Sequence, residues 1–223
     1  MRLSKRLQSI ADCVNYYDTI ADIGCDHGKL SVYLISKGRC SKVLATDISP
    51  KSLEKTQNLA QSKKVSDKII TLCGDGLEPL INYGQKIDLA IIAGLGGYEI
   101  IKIIERDKNF IDRYILSPQQ NVSILRKKLN EFGYKIINDF IVLDKSKFYD
   151  IIEVEKGYQE LNELELEWGI GNLKNPSKDF IAYLDKKINL LTQAADNANT
   201  RQEALKKELE TAISVKNSIA GRL

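Results

Sequence analysis

The chain has 223 residues, 43% hydrophobic and 28% charged, a composition of folded globular proteins that excludes a fibrous or disordered chain. Its apolar runs, such as 87–95, fall far short of the roughly 20 residues of a membrane helix, and the polar first turns carry no apolar leader, so neither a membrane span nor a signal peptide is expected. The net charge of +3 neither requires nor forbids a nucleic-acid partner, while Cys13, Cys25, Cys40 and Cys73 form no C-x-x-C pair and His27 is the only histidine, so a reduced cytoplasmic chain without a metal site is expected.

Leu3, Leu7, Ile10, Ala11 and Val14 recur every three or four residues, predicting an amphipathic helix within 1–17 whose basic Arg2, Lys5 and Arg6 lie mostly off the apolar stripe. Short apolar strands then alternate with helices: strands at 19–23, 42–46, 69–72, 88–93 and 113–116, helices at 28–38, 50–63, 97–106 and 121–132. This alternation predicts a parallel sheet covered on both faces. The strand-like runs 134–143 and 148–154 are separated only by 144–147, too short for a helical crossover, and predict an antiparallel hairpin.

After Gly157 strand-forming runs vanish, which sets a domain boundary near 156 and divides the chain into 1–156 and 157–223. From Asp179 the apolar positions Tyr183 or Leu184, Ile188, Leu191 and Ala195 step helically, as do Leu205, Leu209, Ala212 or Ile213, and Ile219. Poor helix formers at Asp196–Asn199 separate the sets, and Thr200 with Glu203 has capping-box spacing, so an antiparallel helical hairpin is expected. Residues 157–223 hold 9 Lys and Arg against 10 Asp and Glu, which leaves the net positive charge in the first 156.

Asp22-Ile23-Gly24-Cys25-Asp26-His27-Gly28 follows the first strand and opens a helix, where glycines let a ligand approach the backbone and helix N–H groups receive an anion. Asp47, followed by Ile48, ends the second strand, where an acid accepts hydrogen bonds from ribose hydroxyls; this pair suits a dinucleotide equally well. Gly74-Asp75-Gly76 closes the third strand, and Asp75 can accept from an adenine amine, although an Asx turn explains the same letters. Ala93-Gly94-Leu95-Gly96-Gly97 leaves room for a flat substrate. Ser117-Pro118-Gln119-Gln120-Asn121 offers amides to a base edge, or a helix start capped by Asn121. The hairpin turn brings Lys147, Phe148 and Tyr149 to the carboxyl edge of the parallel strands; Lys145 or Lys147 can meet a phosphate and Tyr149 can stack a base, while Phe148 suits core packing. His27 is a candidate base, a cap or a packing residue.

The string Arg2-Leu3, Ile10-Ala11, Ala21 to Leu30, Gly74 to Leu77, Ala93 to Gly97 and Lys147-Phe148-Tyr149 resembles the bacterial tRNA (adenine(22)-N1)-methyltransferase family across nearly the whole chain. Its glycine run after the fourth strand and its Asp26-His27 pair are the more specific marks, whereas the stretch from Ser117 to Asn121 departs from the Gln-Pro-Asn usual there. The resemblance implies a Rossmann-like seven-strand α/β methyltransferase sheet with an antiparallel terminal strand, plus a coiled-coil-like C-terminal helical domain. It implies S-adenosylmethionine held by Asp22, Gly24, Asp26, His27, Gly28, Asp47, Ile48, Gly74, Asp75, Gly76, Ala93, Gly94 and Gly96, and tRNA met by Arg2, Lys5, Arg6, Gly97, Gln119, Asn121 and Lys147. Asp26 and Tyr149 are the catalytic candidates, and a monomer is expected. Adenine N1 carries a lone pair and no proton at neutral pH, so the absence of a catalytic dyad accords with methyl transfer, which needs placement and charge relief. The base must leave its stack to be reached.

Three alternatives stay open: a small-molecule methyltransferase indifferent to loss of 157–223, an NAD-dependent oxidoreductase, and a non-catalytic RNA-binding or assembly protein. Asp26 stands where a dinucleotide fingerprint wants its central glycine, which disfavours the second.

Overall fold

The computed structural model describes residues 1–107, 110–197 and 202–219. Helix α1 (Lys5–Cys13) is started by Ser4, whose hydroxyl accepts the Leu7 N–H, and it buries Ile10 and Ala11. Strands β1 (Tyr17–Ile23), β2 (Cys40–Asp47), β3 (Ile69–Cys73), β4 (Leu89–Ala93) and β5 (Arg113–Ser117) alternate with α2 (Lys29–Ser36), α3 (Pro50–Ser62), α4 (Glu78–Tyr83), α5 (Gly97–Glu105) and α6 (Val122–Glu131). The long β6 (Tyr134–Asp144) and β7 (Lys147–Lys156) follow, then α7 (Glu163–Trp168), α8 (Ile170–Lys174), α9 (Lys178–Asn197) and α10 (Gln202–Ile219).

The strands form one seven-stranded sheet in the order β3-β2-β1-β4-β5-β7-β6. The first five are parallel, whereas β7 pairs antiparallel with both β5 and β6. β1 has β2 on one side and β4 on the other, so the winding reverses there and opens a crevice at the carboxyl ends of the strands. Alternate residues face opposite layers. Ile20, Val43 and Ile91 pack with Ile10 and Leu34 on one face, while Ala21, Leu44 and Ile92 pack with Ile100, Leu125 and Leu129 on the other. Both faces are therefore apolar and buried, which is why the parallel strands read as short continuous apolar runs.

A third cluster joins the hairpin to the C-terminal helices, with Ile141 of β6 packed among Trp168, Phe180, Leu184, Leu191, Ala212 and Val215. Lys187 pairs with Glu208, and Asp185 with Lys216, so α9 and α10 run antiparallel. The expected break and cap at 196–200 fall partly outside the described residues; α9 extends to Asn197, and Thr200 lies in the undescribed part. At the base of these helices Arg126, 1% exposed, donates to Asp139, Asp150 and the carbonyls of Leu166 and Glu167. Asp139 also accepts the Gly171 N–H at 2.5 Å. A methyl on Gly169 or Gly171 would strike this carboxylate or its backbone, so glycine is required for the close approach.

The structure adds three short helices that the periodicity does not predict: α4, α7 and α8. Five or six residues give too little length for a repeat, although Asn162 and Glu165 form a capping box that starts α7. Among the described residues no helix is long and apolar enough to cross a membrane.

Candidate active site

The crevice is a cleft of about 600 Å³ bounded by the loops after β1, β2, β3, β4 and β5, by α5, and by Arg6 of α1. Gly24 and Cys25 turn out of β1 by donating both N–H groups to the Thr46 carbonyl at 2.8 and 2.9 Å. Gly24 has φ +72°, and a side-chain carbon there would meet no protein atom within 4 Å, so the space before it belongs to the cleft. Asp26, also left-handed at φ 50°, donates its N–H to Asp47 Oδ2 at 3.1 Å. The other Asp47 oxygen accepts from the Ser49 N–H at 2.8 Å. Asp47 is thereby fixed at the end of β2, beside Ile48.

His27 stands between Asp26 Oδ2 at 2.9 Å and Lys55 Nζ at 2.8 Å. An Nδ1–H tautomer donates to the carboxylate and accepts from the ammonium, so the ring orients Asp26. Asp75, between Gly74 and Gly76, is bound by Arg106 at 2.7 Å across the mouth of the cleft. Gly94, at φ +94°, faces Arg6 and Gln119. Gln119 is anchored on this loop, its N–H on the Leu95 carbonyl and its Nε2 on the Gly94 carbonyl at 2.6 Å.

Of the residues singled out in the sequence, the fold brings Gly24, Asp26, Asp47, Ile48, Gly74, Asp75, Gly76, Ala93 and Gly94 to this one cleft, with Arg6 and Gln119 at its rim. Lys147 and Tyr149 line a second cavity that shares Gln119 with it. The remaining candidates stand outside the lining of both cavities. Asp22 lies under the loop, 5% exposed, and accepts the Ser31 hydroxyl; burial pushes its carboxyl up to about 6. Gly28 is buried against Thr56, where any side chain would collide with Thr56 Cγ2. His27 backs Asp26 instead of lining the cleft, and Gly96 caps α5.

Gly97 packs against the backbone of Gln120 and Asn121. A methyl on Gly97 would come within 2.6 Å of the Gln120 carbonyl oxygen and 2.7 Å of that of Asn121. Asn121 does occupy the N-cap position of α6, but in the left-handed conformation, with no side-chain cap bond. Lys5 is tied to Asp179 at the base of α9, and Arg2 is exposed away from both cavities. The α1 start is itself pinned to the hairpin tip. The Arg6 N–H, foremost, holds the Asp144 carboxyl below the usual range, and the Arg6 guanidinium lies 4.8 Å over the Tyr149 ring.

The sequence reading gives no role to Ile23 or Leu95 within the motifs it names, and misses Thr46, Glu99, Lys102, Ile103 and Arg106 on the cleft wall. Residues 99, 102, 103 and 106 share one helical face, and a face carrying charges just after the glycine run was the signal available. Thr46 is 1% exposed, and its hydroxyl has no partner among the described residues. A buried orphan hydroxyl on the wall suits a polar ligand. The acids Asp26, Asp47, Asp75 and Glu99 ring the cleft, with Asp22 beneath it.

A family model described as a methyltransferase domain matches residues 3–152. A provisionally named tRNA methyltransferase of Mycoplasma genitalium is 35% identical over 158 residues, covering 69% of this chain and 70% of that one. The tRNA (adenine(22)-N(1))-methyltransferase of Bacillus subtilis is 28% identical over 219 residues, 91% of each chain. The solved structure of M. capricolum TrmK with S-adenosyl-homocysteine superposes with a TM-score of 0.89 at 28% identity, covering 98% of this chain and all of that one. The chain belongs to the methyltransferase domain family, and over nearly its whole length it is similar to a tRNA (adenine(22)-N(1))-methyltransferase.

Proposed function

We propose that this protein transfers a methyl group from S-adenosylmethionine to N1 of adenine 22 in tRNA. The observation that carries the reading is an acidic, glycine-lined cleft at the sheet's switch point, contiguous at Gln119 with a second, basic cavity. Likeness to a tRNA (adenine(22)-N(1))-methyltransferase over 91% of the chain supports it. S-adenosylmethionine, when bound, supplies a methyl group on a positively charged sulfur.

The residues present fit such a group. Asp47 is placed to accept ribose hydroxyls, Asp75 to accept an adenine amine, and the bare backbone at Gly24 and Gly94 leaves room for the chain between them. The surrounding carboxylates favour a cation. On the acceptor side no side chain has to remove a proton, because adenine N1 presents a lone pair at neutral pH. Gln119 uses Nε2 on the Gly94 carbonyl and so leaves Oε1 as an acceptor for the edge of a base at the rim. Asp26, oriented by His27, is the carboxylate set to offset the positive charge that spreads over the methylated ring. The stacked Arg6 and Tyr149 wall the acceptor side. A tRNA substrate sets the reaction in the cytoplasm.

Purified protein incubated with methyl-labelled S-adenosylmethionine and unmodified bacterial tRNA should place label in N1-methyladenosine after digestion to nucleosides. Cofactor binding with no label in any tRNA nucleoside would overturn the reading in favour of a small-molecule acceptor.

A further inference from the structure

Beyond the donor cleft, a cavity of about 420 Å³ lies between the start of β7 and one face of α9. It draws Lys147 and Tyr149 from the strand and Tyr183, Lys186 and Leu190 from the helix. We propose that this cavity is a second nucleotide site, holding the phosphate and the base of a residue that flanks the methylated adenosine. The proposal rests on the tRNA reading above and deepens it.

Charge separates the two cavities. Four carboxylates line the donor cleft against three cations, Arg6, Lys102 and Arg106, while among the described residues no carboxylate lines the second cavity, which has three lysines. Lys187 is already committed, between Glu167 and Glu208 and over the Trp168 ring. Among the described residues Lys147 and Lys186 have no ion pair, and the Lys186 ammonium lies 5.7 Å over the Phe148 ring. Two unpaired ammonium groups in a recess without a carboxylate among the described residues suit an anion; Tyr149 lines the same recess with Arg6 over one face, so a base would stack on the other, while Tyr183, in edge contact with Phe148 and Trp168, walls the recess. Leu190, 57% exposed, extends the apolar surface at the rim.

Position selects a nucleotide over a free anion. Gln119 belongs to both cavities, and the Arg6–Tyr149 stack stands where they meet, with Arg6 on the donor side and Tyr149 on the other. A nucleotide chain whose flipped adenine enters the donor cleft must continue past this partition. Residues 183, 186, 187 and 190 form a single stripe of α9, so the C-terminal helices supply the outer wall. The helical segment thus contributes side chains to substrate binding at a defined place, next to the reacting base.

The test is tRNA methylation by the full-length protein carrying Lys186→Ala, Lys186→Glu or Lys147→Ala, with the cofactor dissociation constant as a check on folding. Lys186→Ala should raise the tRNA KM several-fold and Lys186→Glu more, with the cofactor constant unchanged. The slope of log affinity against log salt should fall by about 1, as for the loss of one phosphate contact. Wild-type protein that methylates tRNA, with Lys186 variants keeping the wild-type KM and salt slope, would overturn the second site alone. Wild-type protein that neither binds nor methylates tRNA would overturn the function and the site together.

Discussion

Arg126→Met removes the cation that ties the C-terminal helices to the sheet. The guanidinium, 1% exposed, binds Asp139 at 3.0 Å, Asp150 at 2.8 Å and the carbonyls of Leu166 and Glu167 at 3.2 and 3.1 Å. Methionine fills much of the same length but leaves the buried Asp139 carboxylate with the Gly171 N–H and no cation, and takes the guanidinium from the partly buried Asp150 and from the carbonyls of Leu166 and Glu167. Breaking a buried ion pair from one side costs about 3–5 kcal/mol. At about 2–4 °C per kcal/mol for a chain of this size, the melting temperature should fall by roughly 6–20 °C. Burial already raises both carboxyls above the usual range, with Arg126 opposing it, and the variant lets them rise further. A carboxyl whose folded pKa exceeds its unfolded one contributes stability at low pH that is lost as pH rises through the folded value. The deficit of Arg126→Met should therefore be smaller near pH ~5 than near pH ~8, and adding Asp139→Asn should recover part of it. Thermal melts followed by the fluorescence of Trp168, the only tryptophan and 2% exposed, report on the same place. A melting temperature within about 2 °C of wild type, or a deficit that grows on acidification, would refute the reasoning.

Other changes probe the cleft. Gly97→Ala drives a methyl to 2.6 Å from the Gln120 carbonyl oxygen, so the loop carrying Gln119 must move; stability should fall by about 1–3 kcal/mol, and kcat should fall more than cofactor affinity, read by melts and steady-state kinetics. Because burial pushes Asp22 up to about 6, affinity for a cationic cofactor should climb as pH rises through that value; calorimetric titration of Asp22→Asn should show the climb flattened and the affinity reduced at pH ~8. Asp75→Ala should weaken cofactor binding about tenfold, whereas Arg106→Ala, which removes an exposed partner of Asp75, should change it by no more than about fivefold in the same titration.

Much of this architecture is legible as pattern. The strand–helix alternation and the four-residue gap before β7 suffice for five parallel strands closed by an antiparallel hairpin, because burial on both faces and connection length leave few other solutions. The turn residues Gly24, Asp47, Asp75 and Gly94 are legible because strand ends at a switch point converge whatever the helices do. What pattern does not carry is depth and partnership. Asp22 and Asp26 look alike four residues apart, yet one is under the loop and the other in the cleft, a difference set by the left-handed turn at Gly24. Gly97 reads as open space for a substrate but is closed by the backbone of Gln120 and Asn121, a contact between loops distant in sequence. The wall residues of α5 and α9 are missed for the same reason: helical periodicity gives a face, and only packing shows what that face meets.

N1-methylation blocks the pairing edge of adenine, so reverse transcription of treated tRNA maps the modified residue directly. With unmodified tRNA carrying adenine at position 22, the wild-type protein and S-adenosylmethionine should produce a cofactor-dependent stop at that residue, and the same tRNA with guanine there should give none. A stop elsewhere, or tRNA read through unchanged by a protein that binds the cofactor, would contradict the account.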